Sequence, residues 1–240
     1  MCLSTHESVS KRRQSRREKR RTAVYATLAL GLLVLLVLAY LYAQSPQEKP
    51  IILYVDQGNG AVNSSNFEAM LTFASSHGFN TIFFQVYREG VLLFTGSQLS
   101  YFVNETHAHG QKIFFALYLT NSTQTIPNTI LNLGQDGVNL DMSALDIAAQ
   151  ESLLGSLESS CHCETAVTTT DMASPLKPDL LVLETYGPTL QQYIRQGVIA
   201  GVGVFATSSQ ADYQSQFQYA LKNSDGVMVF DYAGLMKSGY

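Results

Sequence analysis

Four carboxylic acids end apolar runs in this chain: Asp56 closes IILYVD, Asp141 closes GVNLD, Glu184 closes DLLVLE and Asp231 closes GVMVFD. Burying an unpaired acid against an apolar wall costs several kcal/mol in rough terms. The same desolvation raises its proton affinity, which is what general acid–base work requires. Other polar side chains recur at comparable positions: Gln57, Gln85 with Tyr87 and Arg88, Tyr118, Asn139, Thr170 with Asp171, Tyr186, Thr207 and Tyr232. Strand ends also reach solvent, so a purely structural domain would place some polar residues there too.

The apolar runs define the scaffold that must position these groups. Eight of them, at 51–56, 81–87, 112–119, 137–142, 165–170, 179–184, 201–206 and 226–231, are rich in Val, Ile, Phe and Tyr. Most are continuously apolar, the pattern of parallel strands covered on both faces. Helix-like stretches alternate with them, at 66–77, 97–109, 125–133, 143–160, 188–196 and 208–223. Strand and helix in alternation predict an α/β fold, a (βα)8 TIM barrel whose strand C-terminal ends face the pocket. The barrel must be reduced. Its roughly 190 residues fall just below the usual lower bound of about 200, DMASPLKP at 171–178 is too short and proline-broken for a full fifth helix, and only nine residues follow Asp231. An open doubly wound sheet is the alternative, but no phosphate loop or G-x-G-x-x-G motif favours it.

Gly78, Gly110 and Gly134 each follow a helix-like stretch and are expected as C-caps, with His77 and His109 beside two of them at the negative helix end. The His107-x-His109 pair is read the same way, as capping and not as a metal site. Cys161-His162-Cys163 lacks the second ligand cluster that a closed zinc site needs, and reads as a disulfide or as free thiols in a loop. No metal and no cofactor are expected.

Charge is distributed unevenly. Of fifteen Lys and Arg and nineteen Asp and Glu, eight bases and two acids lie in residues 1–22, leaving seven bases against seventeen acids in 44–240. An acidic domain of this kind does not neutralise phosphates, so nucleic acid is excluded as its partner. Residues 23–43, AVYATLALGLLVLLVLAYLYA, hold no charge and as a helix would match a hydrocarbon layer of about 30 Å. The basic block directly before them fits the positive-inside rule. The expected organisation is a basic cytoplasmic arm (1–22), a single transmembrane helix in contact with membrane lipid (23–43), a polar linker (44–50) and an extracytoplasmic domain (51–240). A cleaved signal peptide is the rival reading, but its apolar region is normally only about 7–15 residues long. Three N-x-Ser/Thr triplets, starting at Asn63, Asn104 and Asn121, all lie beyond the apolar run.

The segment DGVNLDMSALD at 136–146 resembles the fourth-strand D-G-V-x-L-D pattern of glycoside hydrolase barrels, nearest to the endo-α-1,4-polygalactosaminidase-like families, where a further acid follows as Asp146 does here. Leu180–Glu184 resembles their acid-ending sixth strand, FQVYREG at 84–90 is similar to a second-strand F-Q-V-R-x-x-G motif, and DGVMVFDY at 225–232 resembles their closing strand. The match departs from the chitinase-type D-G-x-D-x-D-x-E, since Ser143 stands where that glutamate would be, and Thr207 stands where a strand-seven glutamate would be. The resemblance implies Asp141 and Glu184 as a catalytic pair cleaving a glycan, because glycoside cleavage needs two carboxyls flanking the bond. Glu184, ending its apolar run, is expected as the acid, with Asp141 kept ionised by Asn139 and Arg88. Asp56, Gln85, Tyr87, Arg88, Tyr118, Asn139, Tyr186, Asp231 and Tyr232 are expected to contact carbohydrate. With no Trp in the chain, tyrosines must supply any stacking platform. A catalytically reduced barrel that binds glycan or protein remains the second reading. A glycosyltransferase is disfavoured by the lack of an Asp-x-Asp motif.

Overall fold

Eight parallel strands close on themselves. They are β1 (Ile51–Val55), β2 (Thr81–Arg88), β4 (Lys112–Tyr118), β5 (Gly137–Asp141), β6 (Glu164–Thr169), β7 (Leu180–Glu184), β8 (Ile199–Gly203) and β9 (Gly226–Phe230), each paired in parallel with the next, and β1 pairs with both β9 and β2. A two-residue strand, β3 (Val91–Leu92), returns antiparallel on β2. The computed structural model describes residues 25, 28, 30–37, 48–58, 62–186, 188–203 and 210–238. The helices are α1 (Phe67–Ser76), α2 (Gly96–Ala108), α3 (Ile147–Ser160), α4 (Gln210–Asn223) and α5 (Tyr232–Ser238), with 3-10 turns at Asn128–Ile130 and Pro188–Tyr193. This is an α/β TIM barrel.

Local chemistry sets the helix ends. Thr95 and Gln98 form a reciprocal capping box at the start of α2. Asp146 caps α3 by accepting from the Ala149 amide at 2.9 Å. The acid that follows the D-G-V-x-L-D pattern is thus a helix cap. His77 and His109 lie at the ends of α1 and α2, their Nδ1 atoms 2.8 and 2.9 Å from the Phe73 and Glu105 carbonyls. Gly78 and Gly110 follow in the left-handed region. His107 does something else: its Nε2 meets Asp136 Oδ2 at 2.9 Å, and that same oxygen accepts from the Ile113 amide. Cys161 and Cys163 form a disulfide.

The reduction of the barrel falls partly where expected. Residues 171–178 form no helix and the last helix is two turns long. The third helix also shrinks, to the turn at Asn128–Ile130, so Gly134 adopts its positive φ without a helix to cap.

Strand alternation sorts the core into two shells. Ile52, Tyr54, Phe83, Phe114, Ala116, Ala166, Val182, Ile199 and Met228 fill the barrel interior. Their neighbours, such as Leu53, Ile82, Phe84, Phe115, Val138 and Val227, pack outward against the helices. Gly137 exists because of this filling: a Cβ there would overlap the Phe114 ring and crowd the Glu164 carbonyl.

The chain divides into two units, residues 1–48 and 49–240. Lys49 and Pro50 are tied to the barrel unit by hydrogen bonds. Lys49 Nζ donates to the Leu221 and Ser224 carbonyls at 3.0 and 2.6 Å, and the Pro50 carbonyl accepts from Val227 N at 2.9 Å. Of the apolar run, residues 25, 28 and 30–37 are helical with exposed side chains, and the remainder lies outside the described residues. No helix among the described residues is long and apolar enough to cross a membrane.

Candidate active site at the barrel mouth

Asp141 is the last residue of β5, and strand period two places it on the interior face above Asn139. Tyr54, interior on β1, donates its phenol to Asp141 Oδ2 at 3.2 Å. Ser143 Oγ donates to Asp141 Oδ1, also at 3.2 Å. Burial, and then the charge of Glu184, push the Asp141 carboxyl up to about 7, while the Tyr54 and Ser143 bonds act in the opposite direction.

Glu184 ends β7 opposite Gly201, where the absent side chain leaves room beside the glutamate backbone. Tyr186 donates to Glu184 Oε1 at 3.2 Å. Burial raises the Glu184 pKa as well, and the Tyr186 and Ser143 hydroxyls lower it. One hydroxyl, that of Ser143, thus acts on both carboxyls. The two phenols are raised as well: burial, and next the neighbouring carboxylates, hold Tyr54 and Tyr186 well above the usual phenol range. Both remain protonated donors.

A cavity of about 170 Å³ opens here, lined by Tyr54, Asp56, Gln85, Arg88, Tyr118, Asp141 and Phe230. Arg88 spans it, its Nη1 3.2 Å from Asp56 Oδ1 and its guanidinium carbon 5.4 Å from the Tyr118 ring centre. Gln85 Oε1 accepts from the Gln57 amide at 2.9 Å and so holds the β1 loop over the mouth. A larger groove of about 380 Å³ lies among α1, α4 and α5, but none of its lining residues is an acid. Among the described residues no cluster of His, Cys, Asp and Glu could hold a metal ion.

Several expected site residues sit elsewhere. Between Gln85 and Tyr87 the β2–β4 register shifts, so Tyr87 pairs with Leu117 and joins the outer core, while Arg88 pairs with Tyr118 and turns inward. Bulges re-aim side chains in this way. Asn139 is fully buried beneath Asp141, its Oδ1 accepting from Thr168 Oγ1 at 3.0 Å, and does not line the cavity. Arg88 is bound to Asp56, so neither of the groups expected to keep Asp141 ionised does so. Asp231 is buried and, just before α5, accepts from the Gly234 amide at 2.9 Å, though its charge also reaches Tyr186. Tyr232 packs outward against Phe73, with ring centres 5.4 Å apart. Tyr186 stays at the site, its ring 5.9 Å from that of Phe230. Thr207 lies outside the described residues.

Tyr54, Phe230 and Ser143 are the site residues that strand-end reading passes over. Tyr54 was legible through alternation, two residues before Asp56 on one face. Ser143 lies past the strand, and no sequence signal points its hydroxyl at both acids.

No family model matches the chain, and no curated protein matches it. Solved structures do resemble it. The HpcH/HpaI aldolase from Desulfitobacterium hafniense DCB-2 aligns over 80% of this chain and 89% of its own, with TM-score 0.50 and 7% identity. A noncanonic maltogenic α-amylase, AmyB from Thermotoga neapolitana, aligns over 76% and 67% at TM-score 0.48 and 12% identity. A rubisco-like protein from Burkholderia fungorum aligns over 80% of this chain and 59% of its own, at 0.46 and 9%. At these identities the likeness is one of fold, and the aldolase match supports the barrel alone.

Proposed function

We propose that the barrel is a glycoside-hydrolase-like enzyme cleaving a glycan with Asp141 and Glu184, held outside the cytoplasm by a membrane helix at residues 23–43. The observation that carries the reading is the buried Asp141 carboxyl beside the half-buried Glu184 at the barrel mouth, where burial and then the Glu184 charge lift Asp141 to about 7. Coupling of this kind separates an acid from a base.

The order of the two roles reverses the expectation from sequence. Asp141, the more deeply buried, keeps its proton near neutrality and is the donor to the leaving glycosidic oxygen. Glu184 ionises first and attacks the anomeric carbon or takes a proton from attacking water. As the C1–O bond breaks with its electron pair leaving on the glycosidic oxygen, the proton passes to that oxygen, which departs as a hydroxyl, and Asp141 becomes a carboxylate. Tyr54 and Ser143 are already placed to stabilise it. Arg88, Gln85, Asp56 and Tyr118 offer donors, acceptors and one ring face to sugar hydroxyls at the mouth.

A second reading, a reduced barrel that binds glycan without cleaving it, is favoured by the size of the cavity. Its roughly 170 Å³ falls below the usual range of about 300–1,000 Å³ for ligand pockets. Hydrolysis of α-linked and amino-sugar polymers by the purified protein, its Asp141→Asn and its Glu184→Gln variants separates the two. The enzyme reading requires reducing-end release by the wild type and a loss of at least about 100-fold in either variant, within the usual contribution of acid–base groups. Binding without release in all three proteins would leave only the second reading.

A further inference from the structure

The three N-x-Ser/Thr triplets are alike in sequence and differ in geometry. Asn63 is exposed in the β1–α1 connection, and its Oδ1 accepts from both the Ser65 amide at 2.9 Å and the Ser65 hydroxyl at 2.6 Å. Asn121 is exposed in the segment after β4, and its Oδ1 accepts from the Thr123 amide at 2.9 Å and the Thr123 hydroxyl at 3.1 Å. The same turn is built twice. Asn104, although exposed, lies within α2, where residues two apart point to different sides of the helix. Its partner Thr106 is fully buried and gives its hydroxyl to the Phe102 carbonyl at 2.7 Å.

We propose that Asn63 and Asn121 are sites of N-linked glycosylation on the rim of the barrel mouth, and that Asn104 in the folded protein is not. An acceptor site must present the asparagine amide together with the hydroxyl two residues on. At Asn63 and Asn121 the two groups already share one exposed turn, so a transferase can take them without unfolding the chain. At Asn104 the last turns of α2 would have to melt and Thr106 leave the core.

The reaction requires a polyprenyl-diphosphate-linked oligosaccharide as donor. The asparagine Nδ2 forms a bond to sugar C1, the C1–O bond to the diphosphate breaks with its electron pair leaving on that oxygen, and one amide proton passes to a base. No oxidation or reduction occurs. In the barrel β1 and β4 flank β2, so the two glycans would stand on either side of the β2–β3 hairpin whose first strand carries Arg88. The proposal rests on the extracytoplasmic placement given above for its occurrence in cells, but not for its geometry.

Two measurements separate these dependencies. Purified, folded full-length protein is incubated with a single-subunit oligosaccharyltransferase and a lipid-diphosphate-linked oligosaccharide, and the glycopeptides are mapped by mass spectrometry. Modification at Asn63 and Asn121, lost singly in Asn63→Gln and Asn121→Gln and unchanged in Asn104→Gln, is the expected result. Bare Asn63 and Asn121, or equal modification of Asn104, overturns the proposal. The full chain is then expressed in a glycosylating secretory host with an extra N-x-Thr triplet appended after Tyr240 as a topology reporter. Glycans on the reporter and on both rim sites support the proposal. A modified reporter with bare rim sites overturns it and leaves the outward placement standing, whereas a bare reporter and bare rim sites overturn both.

Discussion

Tyr54 and Asp141, on strands separated by β2 and β4 in the barrel wall, meet through a 3.2 Å hydrogen bond at its mouth. The phenol sits one layer below the rim and donates upward, so it stabilises the ionised form of an acid that burial otherwise keeps neutral.

Removing that donor has a definite sign. Tyr54→Phe should raise the Asp141 pKa further, because the lost bond favours the charged form. Glu184→Gln should lower it, because the repelling charge is gone, although burial remains as the larger cause. Carboxyl carbon NMR titration of the two variants reads both shifts, and shifts of the same sign would contradict this arrangement.

Asp141 also ties stability to pH. Its folded-state pKa of about 7 stands above the ordinary value of 3.8, so the folded protein holds an extra proton between those pH values and stability falls as pH rises through the window. Asp141→Asn carries no such penalty. Denaturant unfolding should show the variant more stable by roughly 4 kcal/mol at pH 8, with the advantage shrinking towards zero near pH 4. A pH-independent difference would contradict the buried, protonated acid.

Gly137 should not tolerate even a methyl group. Gly137→Ala pushes a Cβ into the Phe114 ring and the Glu164 carbonyl, an overpacking that costs roughly 1–3 kcal/mol. Thermal melting should drop by several degrees, about 2–4 °C per kcal/mol for a domain of this size. A Phe114→Leu change made alongside it should recover part of the loss.

The barrel should fold without the N-terminal unit, provided that Lys49 and Pro50 are kept. Residues 49–240 are expected to give a cooperative melt. Starting at Ile51 removes the Lys49 bonds to the end of α4 and the Pro50 carbonyl that closes β9. Circular dichroism of the two fragments should then differ by several degrees in Tm, and identical melts would deny Lys49 and Pro50 their structural part.

Asp141 and Glu184 could be found in the linear sequence because the information is local. A continuous apolar run marks a strand buried on both faces, and the polar residue ending it marks the mouth. The histidines at the ends of α1 and α2 were legible for the same reason. What the sequence by itself determined is therefore the barrel and the polar residues at its strand ends, Asp141 and Glu184 among them. The tertiary structure decided which neighbours face inward and how deeply each acid is buried. A bulge in β2, set by its pairing with β4, exchanges the faces of Tyr87 and Arg88 and delivers the arginine to Asp56 instead of Asp141. Asp141 is thereby left buried with two hydroxyl donors and an opposing glutamate, and the rise of its pKa follows from burial and from groups on other strands that no local pattern encodes.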